Sequence, residues 1–269
     1  MRIALEVPPL PMAHGRALSL LSDPDLQFEE LAQVIESDPA LTMSLLRAAN
    51  SAASAPVTRV DTASVAIVRV GTDHARQLVV GAVASSAFAH LHRAGIDSEE
   101  IWQHLIAVAM LAQAVDWLHG TPTGEVGDAF TAGMLHDLGR LSMAAQEPDR
   151  YATVSRRARD GADVREAERD SFGFEHSEWG LQVAEQWDLP DGIGGAIAHH
   201  HDASGGRLAE AVYMARKIAW SLGIGDGLPG EVAPTFPLRP EHEVIISQLG
   251  GLEGLLAQIE WYRGAIGGV

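Results

Sequence analysis

Apolar residues recur along this chain at the three- and four-residue spacing of amphipathic helices. Early in the chain the pattern is carried by Phe28, Leu31, Val34 and Ile35. Residues 208–222 repeat it near the other end. The alternation typical of strands is absent from the sequence, whereas helix-capping residues recur at helical intervals. The pattern therefore predicts an all-α, multi-helix bundle.

Capping residues also indicate how the chain is divided. Asp38 stands before a proline, a combination that starts a helix without losing a hydrogen bond. Asp97 and Glu100 have the spacing of a capping box, and the helix they open carries His104 on its apolar face. The predicted parts are an N-terminal helical half over residues 1–95, a second helical half over 96–225, and a linker with a C-terminal helix over 226–269.

One apolar stretch contains an adjacent histidine and aspartate. Residues 129–141 predict a buried helix that ends at His136 and Asp137, and Gly139 would let it end or bend just past the pair. Burying an imidazole beside a carboxylate costs free energy unless both groups are satisfied. The pair therefore indicates a place where a metal, a substrate or another side chain meets these two groups.

Further predicted helices direct histidines toward the same interior: His104, His176 and the run 199–201. Imidazole and carboxylate ligands together suit a first-row divalent metal, and a water held between two such metals can act as a nucleophile. Each histidine also has an ordinary interpretation, as a hydrogen-bonded core residue, an exposed helix start or a solvated turn. Asp137, for its part, could simply pair with Arg140.

Composition narrows the classes of function. A formal charge of -17 without a basic patch argues against a nucleic-acid partner. The absence of cysteine excludes disulfides and thiolate ligands, so a metal would need the histidines and carboxylates. The N-terminus lacks the layout of a signal peptide, and the longest apolar runs are interrupted by polar residues. We therefore expect a cytoplasmic protein with no membrane partner.

Several motifs, taken in order, resemble a known family. Four segments resemble motifs of the HD superfamily of metal-dependent phosphohydrolases: Gly133-Met-Leu-His136-Asp137-Leu-Gly-Arg140, Trp102-Gln-His104, Glu175-His176-Ser-Glu-Trp-Gly180 and His200-His201-Asp202. Four segments of the N-terminal half resemble motifs of the HDOD family, a bacterial HD-related output domain: Pro8-Pro-Leu-Pro11, Leu31-Ala-Gln-Val-Ile35, Asp38-Pro-Ala-Leu41 and Ala49-Asn-Ser51. The resemblance covers roughly residues 5–225 and implies an all-helical, HD-like fold with a role in signal transduction.

The resemblance also implies a set of ligands. Where they are retained, the metal ligands would be His104, His136, Asp137, His176, His200 and His201. The matching histidine pair is either 199–200 or 200–201, and the aspartate at 202 favours the second. The metal that such a set implies is divalent iron, manganese, zinc or nickel.

Two departures from the HD pattern point away from hydrolysis. Active members carry a further aspartate on a later helix, and Arg216 stands at the matching place in this chain. An arginine stays protonated, so it would repel a divalent cation and remove an oxygen ligand. The Gly-Tyr-Pro signature of the cyclic-dinucleotide phosphodiesterase branch is missing after His201. Hydrolysis of cyclic di-GMP is therefore not expected.

Arg216 can also be judged from its position alone. It follows Leu208 and Val212 on one helical stripe, and a buried guanidinium needs an anion or several acceptors. We hypothesise that Arg216 pairs with Asp137 and occupies the space of a metal. The alternative is that Arg216 lies at the edge of the stripe and extends to water.

The leading interpretation is a non-catalytic signalling module that binds a protein partner or a small phosphorylated ligand. Arg216 and Arg140 are then the candidates for binding that ligand or replacing a metal. A metal-dependent phosphohydrolase acting on a nucleotide or other phosphoester is the alternative, and a sensor that binds metal or nucleotide without turnover is a third interpretation. The last helix is expected to pack on the domain and could form a homodimer contact.

Overall fold

The computed structural model describes residues 5–21, 23, 26–51, 58–88, 91–120, 128–228 and 237–267. Within these ranges the chain forms α-helices and a short 3-10 turn over Leu91–Ala94, and no strand occurs among them. The prediction of an all-α fold is confirmed.

The N-terminal half contains five helices within the described residues: α1 Met12–Leu21, α2 Phe28–Glu36, α3 Pro39–Ala49, α4 Ala63–Val70 and α5 Thr72–Ala87. Asp38 caps α3 as predicted, because its Oδ1 accepts the backbone N–H groups of Ala40 at 2.7 Å and Leu41 at 3.1 Å. The apolar stripes of α2 and α3 are buried, and α3 packs against both α4 and α5.

The rest of the described chain adds ten helices: α6 Ser98–Leu118, α7 Asp128–Leu135, α8 Leu138–Gln146, α9 Pro148–Arg159, α10 Val164–Phe172, α11 His176–Gln186, α12 Asp191–His199, α13 Arg207–Ser221, α14 Pro240–Gln248 and α15 Gly251–Ile266. The central helix is α6, which α7 and α13 flank. By length and composition α6 could cross a membrane, but 78% of its most apolar window is buried by the fold. That burial is the ordinary property of a core helix.

The helix that was predicted to end at His136 and Asp137 does end there, because α7 stops at Leu135 and the pair lies in the turn that follows. A second helix, α8, begins directly after the pair. Gly139 lies inside α8 and has a different role from the one expected. A Cβ at this position would overlap the carbonyl oxygen of His176 and lie 2.6 Å from the backbone nitrogen of Gly180. Gly139 therefore permits α8 and α11 to touch backbone to backbone.

The C-terminal segment also differs in detail from the expectation. One C-terminal helix was expected after the linker, but Gly250 and Gly251 adopt φ angles of 81° and 74° and separate α14 from α15. L-residues with side chains seldom adopt this left-handed region, whereas glycine does so freely. As predicted, the final helix packs on the domain, and α15 contacts α3, α5 and α6. Part of the expected linker, residues 229–236, lies outside the described residues.

Candidate metal centre

All six predicted ligands meet where α6, the α7–α8 turn, α11 and the end of α12 come together. Their ligand atoms form two sets, each within 4.8 Å. We call His104, His136 and Asp137 the first group, and His176, His200 and His201 the second group. The side chains other than His201 are 0% exposed. His201 alone of the six is partly open to solvent.

Asp137 lies between the two groups. Its Oδ2 is 3.4 Å from Nε2 of His136. Its Oδ1 is 3.4 Å from Nε2 of His176 and 3.5 Å from Nε2 of His200. One carboxylate therefore faces ligands of both groups. Asp137 would therefore be within reach of a cation held by the first group or by the second group.

Three of the imidazoles are oriented by a hydrogen bond at the nitrogen that faces away from the centre. The acceptors, each 2.7 Å from the Nδ1, are the Gly133 carbonyl for His136, the Ile197 carbonyl for His200 and the Glu168 carboxylate for His176. Because carbonyl and carboxylate oxygens only accept, each Nδ1 carries a proton and each Nε2 faces the centre of the cluster. Metal-binding histidines commonly have such an outer partner.

The first group contains buried polar atoms without hydrogen bonds in the described residues, although Oδ2 of Asp137 has Arg140 as an ion-pair partner. Both nitrogens of His104, Nε2 of His136 and both oxygens of Asp137 are buried without a hydrogen-bond partner there. Buried acceptors that converge in this way cost free energy unless a donor or a cation joins them. Two imidazoles and a carboxylate fit a divalent first-row metal. The residues present therefore fit the ion that the sequence motifs imply.

Two buried guanidinium groups adjoin the cluster. Nη1 of Arg140 lies 3.2 Å from Oδ2 of Asp137 and 2.6 Å from Oδ2 of Asp226. Arg216 is 2% exposed, so it does not extend to water. Its Nη1 donates to the carbonyl of His200 at 3.1 Å and lies 3.2 Å from Nδ1 of His201.

These positions correct the expected pairing of Arg216 with Asp137. The guanidinium at that carboxylate belongs to Arg140, which follows Asp137 by one helical turn. Arg216 is carried by α13 to the end of α12 and meets the second group instead. The ordinary interpretation of Asp137, an ion pair with Arg140, therefore holds alongside its place in the cluster.

Burial and neighbouring charges set the protonation of the cluster. Burial, together with the charge of His136, lowers the pKa of His104 to about 3. Burial also lowers the pKa of His200 and of His201, and Arg216 adds to both shifts. Burial alone would raise the pKa of the Asp137 carboxyl, but Arg140 and His136 hold it well below its usual range. Three imidazoles are therefore neutral and the carboxyl is ionised at pH 7.

The structure also settles which histidine pair joins the cluster. His199 points away, with its Nδ1 2.8 Å from the Ser204 hydroxyl and 3.5 Å from the Asp202 carboxylate. His200 and His201 face the other ligands. The histidines that face the cluster are therefore His200 and His201.

Sequence reasoning missed three residues of the site. Glu168 and Tyr151 support His176, and Asp226 binds Arg140. Glu168 had a signal that could have revealed it, since it is a carboxylate on the buried stripe of α10 with Val164, Ala167 and Phe172. Asp226 follows the last helix of this half in a glycine-rich loop, where no periodicity marks it.

Solved structures of known proteins share this fold. One is a protein of Shewanella amazonensis SB2B provisionally named a phosphohydrolase, with 26% identity, a TM-score of 0.67, and coverage of 96% of this chain and 92% of that one. An HDOD domain protein of unknown function from Geobacter sulfurreducens has 20% identity, a TM-score of 0.72, and coverage of 97% and 92%. A protein of Marinobacter aquaeolei VT8 provisionally named a signal transduction protein has 24% identity, a TM-score of 0.72, and coverage of 99% and 61%. At these identities the last two show the fold alone.

The sequence comparisons reach the same family. An uncharacterized protein of Treponema pallidum (strain Nichols) is 23% identical over 201 residues, which are 73% of this chain and 38% of that protein. The chain thus spans less than half the length of this relative. The HDOD domain family matches residues 7–203, which is most of the chain. The protein therefore belongs to the HDOD domain family.

Proposed function

We propose that this protein is a regulatory signal-transduction module that acts by binding and does not hydrolyse a phosphoester. The observation that carries the proposal is the closure of the HD-type site. Five of its six ligand residues are 0% exposed, and two buried arginines adjoin them. A hydrolytic metal site keeps a coordination position open to water and substrate. Here only the edge of the cluster at His201 meets solvent.

The charge of the surrounding residues supports the same proposal. The buried carboxylates of Asp137, Glu168 and Asp226 face the buried guanidiniums of Arg140 and Arg216. Among these five side chains, three negative and two positive charges leave -1. One divalent cation changes the sum to +1, whereas two change it to +3. Because uncompensated buried charge is costly, the site accommodates a single cation at most.

The first group is the place for that single cation. A divalent ion in an open site of this kind supplies an activated water for attack on phosphorus. In this chain Asp137 and His136 would instead hold the ion as part of the buried structure. Arg140 limits the role of Asp137 further, because it already contacts one of the two carboxylate oxygens.

A protein partner is the proposed target of the module, with a small phosphorylated ligand as the second candidate. The N-terminal half offers a surface for such a partner. Met43, Val65 and Val68 are 52%, 52% and 74% exposed, so their apolar side chains are available to a partner. A cleft of about 650 Å³ lies beside Met43, and its charged lining residues are Arg47, Arg59 and Asp61. Two cations against one carboxylate, in a chain of net charge -17, favour a partner segment that is apolar and acidic.

A phosphohydrolase remains the second candidate function, because all six expected ligands are present and converge. Metal analysis and a turnover assay separate the two. Protein purified without chelators should hold no more than one equivalent of iron, manganese, zinc or nickel. Bis-p-nitrophenyl phosphate, p-nitrophenyl phosphate and nucleotides should show no turnover that EDTA removes. Two equivalents of metal, or turnover lost on chelation, would favour the hydrolase.

The Arg216→Asp variant serves as the matched control. It returns the aspartate of active HD proteins to its expected place and removes one buried positive charge. This variant should therefore gain metal relative to the unmodified protein under the same purification. If both proteins bind two metals equally, closure of the site by arginine is rejected.

A further inference from the structure

The contact between Arg216 and His201 fixes the position of a proton. Nη1 of Arg216 lies 3.2 Å from Nδ1 of His201. A guanidinium has only donors, so the nitrogen it faces must present a lone pair. The neutral ring of His201 then carries its proton on Nε2. This is the reverse of His136 and His200, whose Nδ1 atoms face carbonyl oxygens and so carry the proton.

The proton on His201 continues into a chain of hydrogen bonds. Nε2 of His201 lies 2.9 Å from Nε2 of His176, which must then be the acceptor. The other nitrogen of His176 donates to Oε2 of Glu168 at 2.7 Å. Oε2 also accepts the backbone N–H of His176 at 2.9 Å, and Oε1 accepts the hydroxyl of Tyr151 at 2.7 Å. Both oxygens thus act as acceptors, as those of a carboxylate do.

We infer that Arg216 closes the second group to cations by holding His201 in the tautomer that donates from Nε2. For Nε2 of His201 to bind a metal, its proton would have to move to Nδ1. There it would face the N–H groups of Arg216, donor against donor. His176 is closed as well, since the proton of His201 occupies its inward lone pair. Nε2 of His200, the remaining inward nitrogen of the second group, lies 3.2 Å from Nε2 of His176.

This inference deepens the proposed function, because it names what prevents a second cation. It also separates hydrogen bonding from simple charge repulsion. Arg140 is another buried cation at the site, and its guanidinium contacts the carboxylates of Asp137 and Asp226. If charge alone closed the second group, any nearby positive charge would do so. If the tautomer closes it, the donor that faces His201 is required.

The first test needs no variant. Histidine-selective 15N labelling and long-range 1H–15N spectra distinguish a protonated from an unprotonated ring nitrogen at pH 7, and a His201→Ala spectrum assigns the signals. His201 should be protonated at Nε2, whereas His136, His176 and His200 should be protonated at Nδ1. A His201 ring protonated at Nδ1 would overturn the inference. Because the readout is a chemical shift, loss of activity does not enter it.

The second test uses Co²⁺ as the probe. Arg216→Met removes the donor while keeping an unbranched side chain, and Arg216→Gln supplies an amide that can donate or accept. Both variants should bind one more equivalent of Co²⁺ than the unmodified protein. Two folded variants that gain no equivalent would also overturn the inference.

Lys217→Met is the matched control for charge. Lys217 neighbours Arg216 on α13 and carries the same charge, and its Nζ lies over the ring of Tyr213 at 4.1 Å. Lys217→Met should bind Co²⁺ as the unmodified protein does. If Lys217→Met and Arg216→Met gained Co²⁺ equally, charge repulsion would explain the effect. Chelator-sensitive turnover in the unmodified protein would reject the proposed function, yet it would leave the tautomer of His201 as a separate result.

Discussion

The two halves of the molecule each bury a histidine beside an aspartate, but they use the pair differently. In the N-terminal half, Nε2 of His14 lies 3.1 Å from Oδ2 of Asp38. The other oxygen of Asp38 caps α3, and Nδ1 of His14 lies 3.2 Å from the Ser86 hydroxyl. In the C-terminal half, Nε2 of His136 lies 3.4 Å from Oδ2 of Asp137. Neither oxygen of Asp137 accepts a hydrogen bond within the described residues, and its Oδ2 is 3.2 Å from Nη1 of Arg140 in an ion pair.

The difference between these two pairs shows that a histidine beside an aspartate does not by itself identify a metal site. His14 and Asp38 connect α1 to α3, and the carboxylate is also needed to start a helix. The side chain of Asp137 does not cap α8, and the Nε2 atoms of His176 and His200 lie near its Oδ1 instead. A site is recognised by acceptors that the fold brings together without donors. The changes that follow should therefore affect the two halves unequally.

The largest effect is expected for Gly139→Ala. The added methyl group would overlap backbone atoms of His176 and Gly180, which cannot move aside as a flexible side chain would. We expect the free energy of unfolding to fall by more than about 4 kcal/mol, a loss seen only when packing is broken. Urea denaturation followed by circular dichroism measures this loss.

Gly15→Ala is the control in the N-terminal half. Nothing lies within 4 Å of a Cβ at this position in α1. The change should raise the free energy of unfolding by roughly 0.5–1 kcal/mol, since alanine is the better helix former. If the two variants have similar stability, the close approach of α8 and α11 is not needed to assemble the cluster.

Much of the fold was predictable because it depends on local sequence. Asp38 and Asp97 cap the helices that they were expected to begin. The six ligands were found from a resemblance to the HD and HDOD motifs, and their inward helical positions agreed with it. The end of α7 at His136 and Asp137 was predicted from the same stretch. The close approach of Gly139 to α11 was not predictable, because α11 lies about forty residues further along the chain.

The partners of the two arginines also escaped sequence reasoning. Arg140 binds Asp226, which is 86 residues away, and Arg216 binds His201, which is 15 residues away. Both contacts depend on how α13 and the following loop lie against the cluster. No spacing rule reaches across such a distance, because periodicity describes one helix at a time. Long-range ion pairs of this kind become visible only with the fold.

A somewhat smaller effect is expected for Arg140→Met. This change leaves the carboxylates of Asp137 and Asp226 buried without the guanidinium between them. Removing one partner of a buried ion pair typically costs about 3–5 kcal/mol. Divalent cation should restore part of this loss in a concentration-dependent manner, because an ion that binds only the folded state stabilises it. Thermal unfolding with increasing Mn²⁺ or Co²⁺ measures the recovery.

Arg157→Met provides the comparison at the surface. Arg157 and Asp170 form a 2.9 Å ion pair that is largely exposed. Its loss should cost less than about 1 kcal/mol and should not respond to cation. The same cation response in both variants would show that the first group is not the binding place.

The pH dependence of stability should identify the neutral histidines. The folded-state pKa values of His104, His200 and His201 are lowered, His104 to about 3, whereas the unfolded chain protonates histidine near its ordinary value of about 6.5. The unfolded state therefore binds more protons as the pH falls. Stability from these groups is complete above about pH 6.5 and is lost progressively below it, at roughly 1.4 kcal/mol per pH unit for each group.

His104→Gln tests one of these contributions. Compared with the unmodified protein after chelator treatment, this variant should lose about 2 kcal/mol less between pH 7 and pH 5, since one titrating group has been removed. Urea unfolding at pH 7, 6 and 5 gives the difference. Parallel pH profiles for the two proteins would mean that His104 accepts a proton in the folded state.

The smallest effect is expected for Asp38→Ala, which breaks the histidine–aspartate contact of the N-terminal half. The variant loses the cap of α3 and the contact with His14, and we expect a cost of about 1–2 kcal/mol, as for other N-cap losses. Asp38→Asn should be nearly neutral for the cap, because asparagine is an equally good capping residue. Binding of Co²⁺ should be unchanged in both variants, whereas Asp137→Ala should abolish it. A loss of Co²⁺ binding in Asp38→Ala that Asp38→Asn restores would mean that the N-terminal half controls the cluster, and the two pairs could no longer be treated as independent.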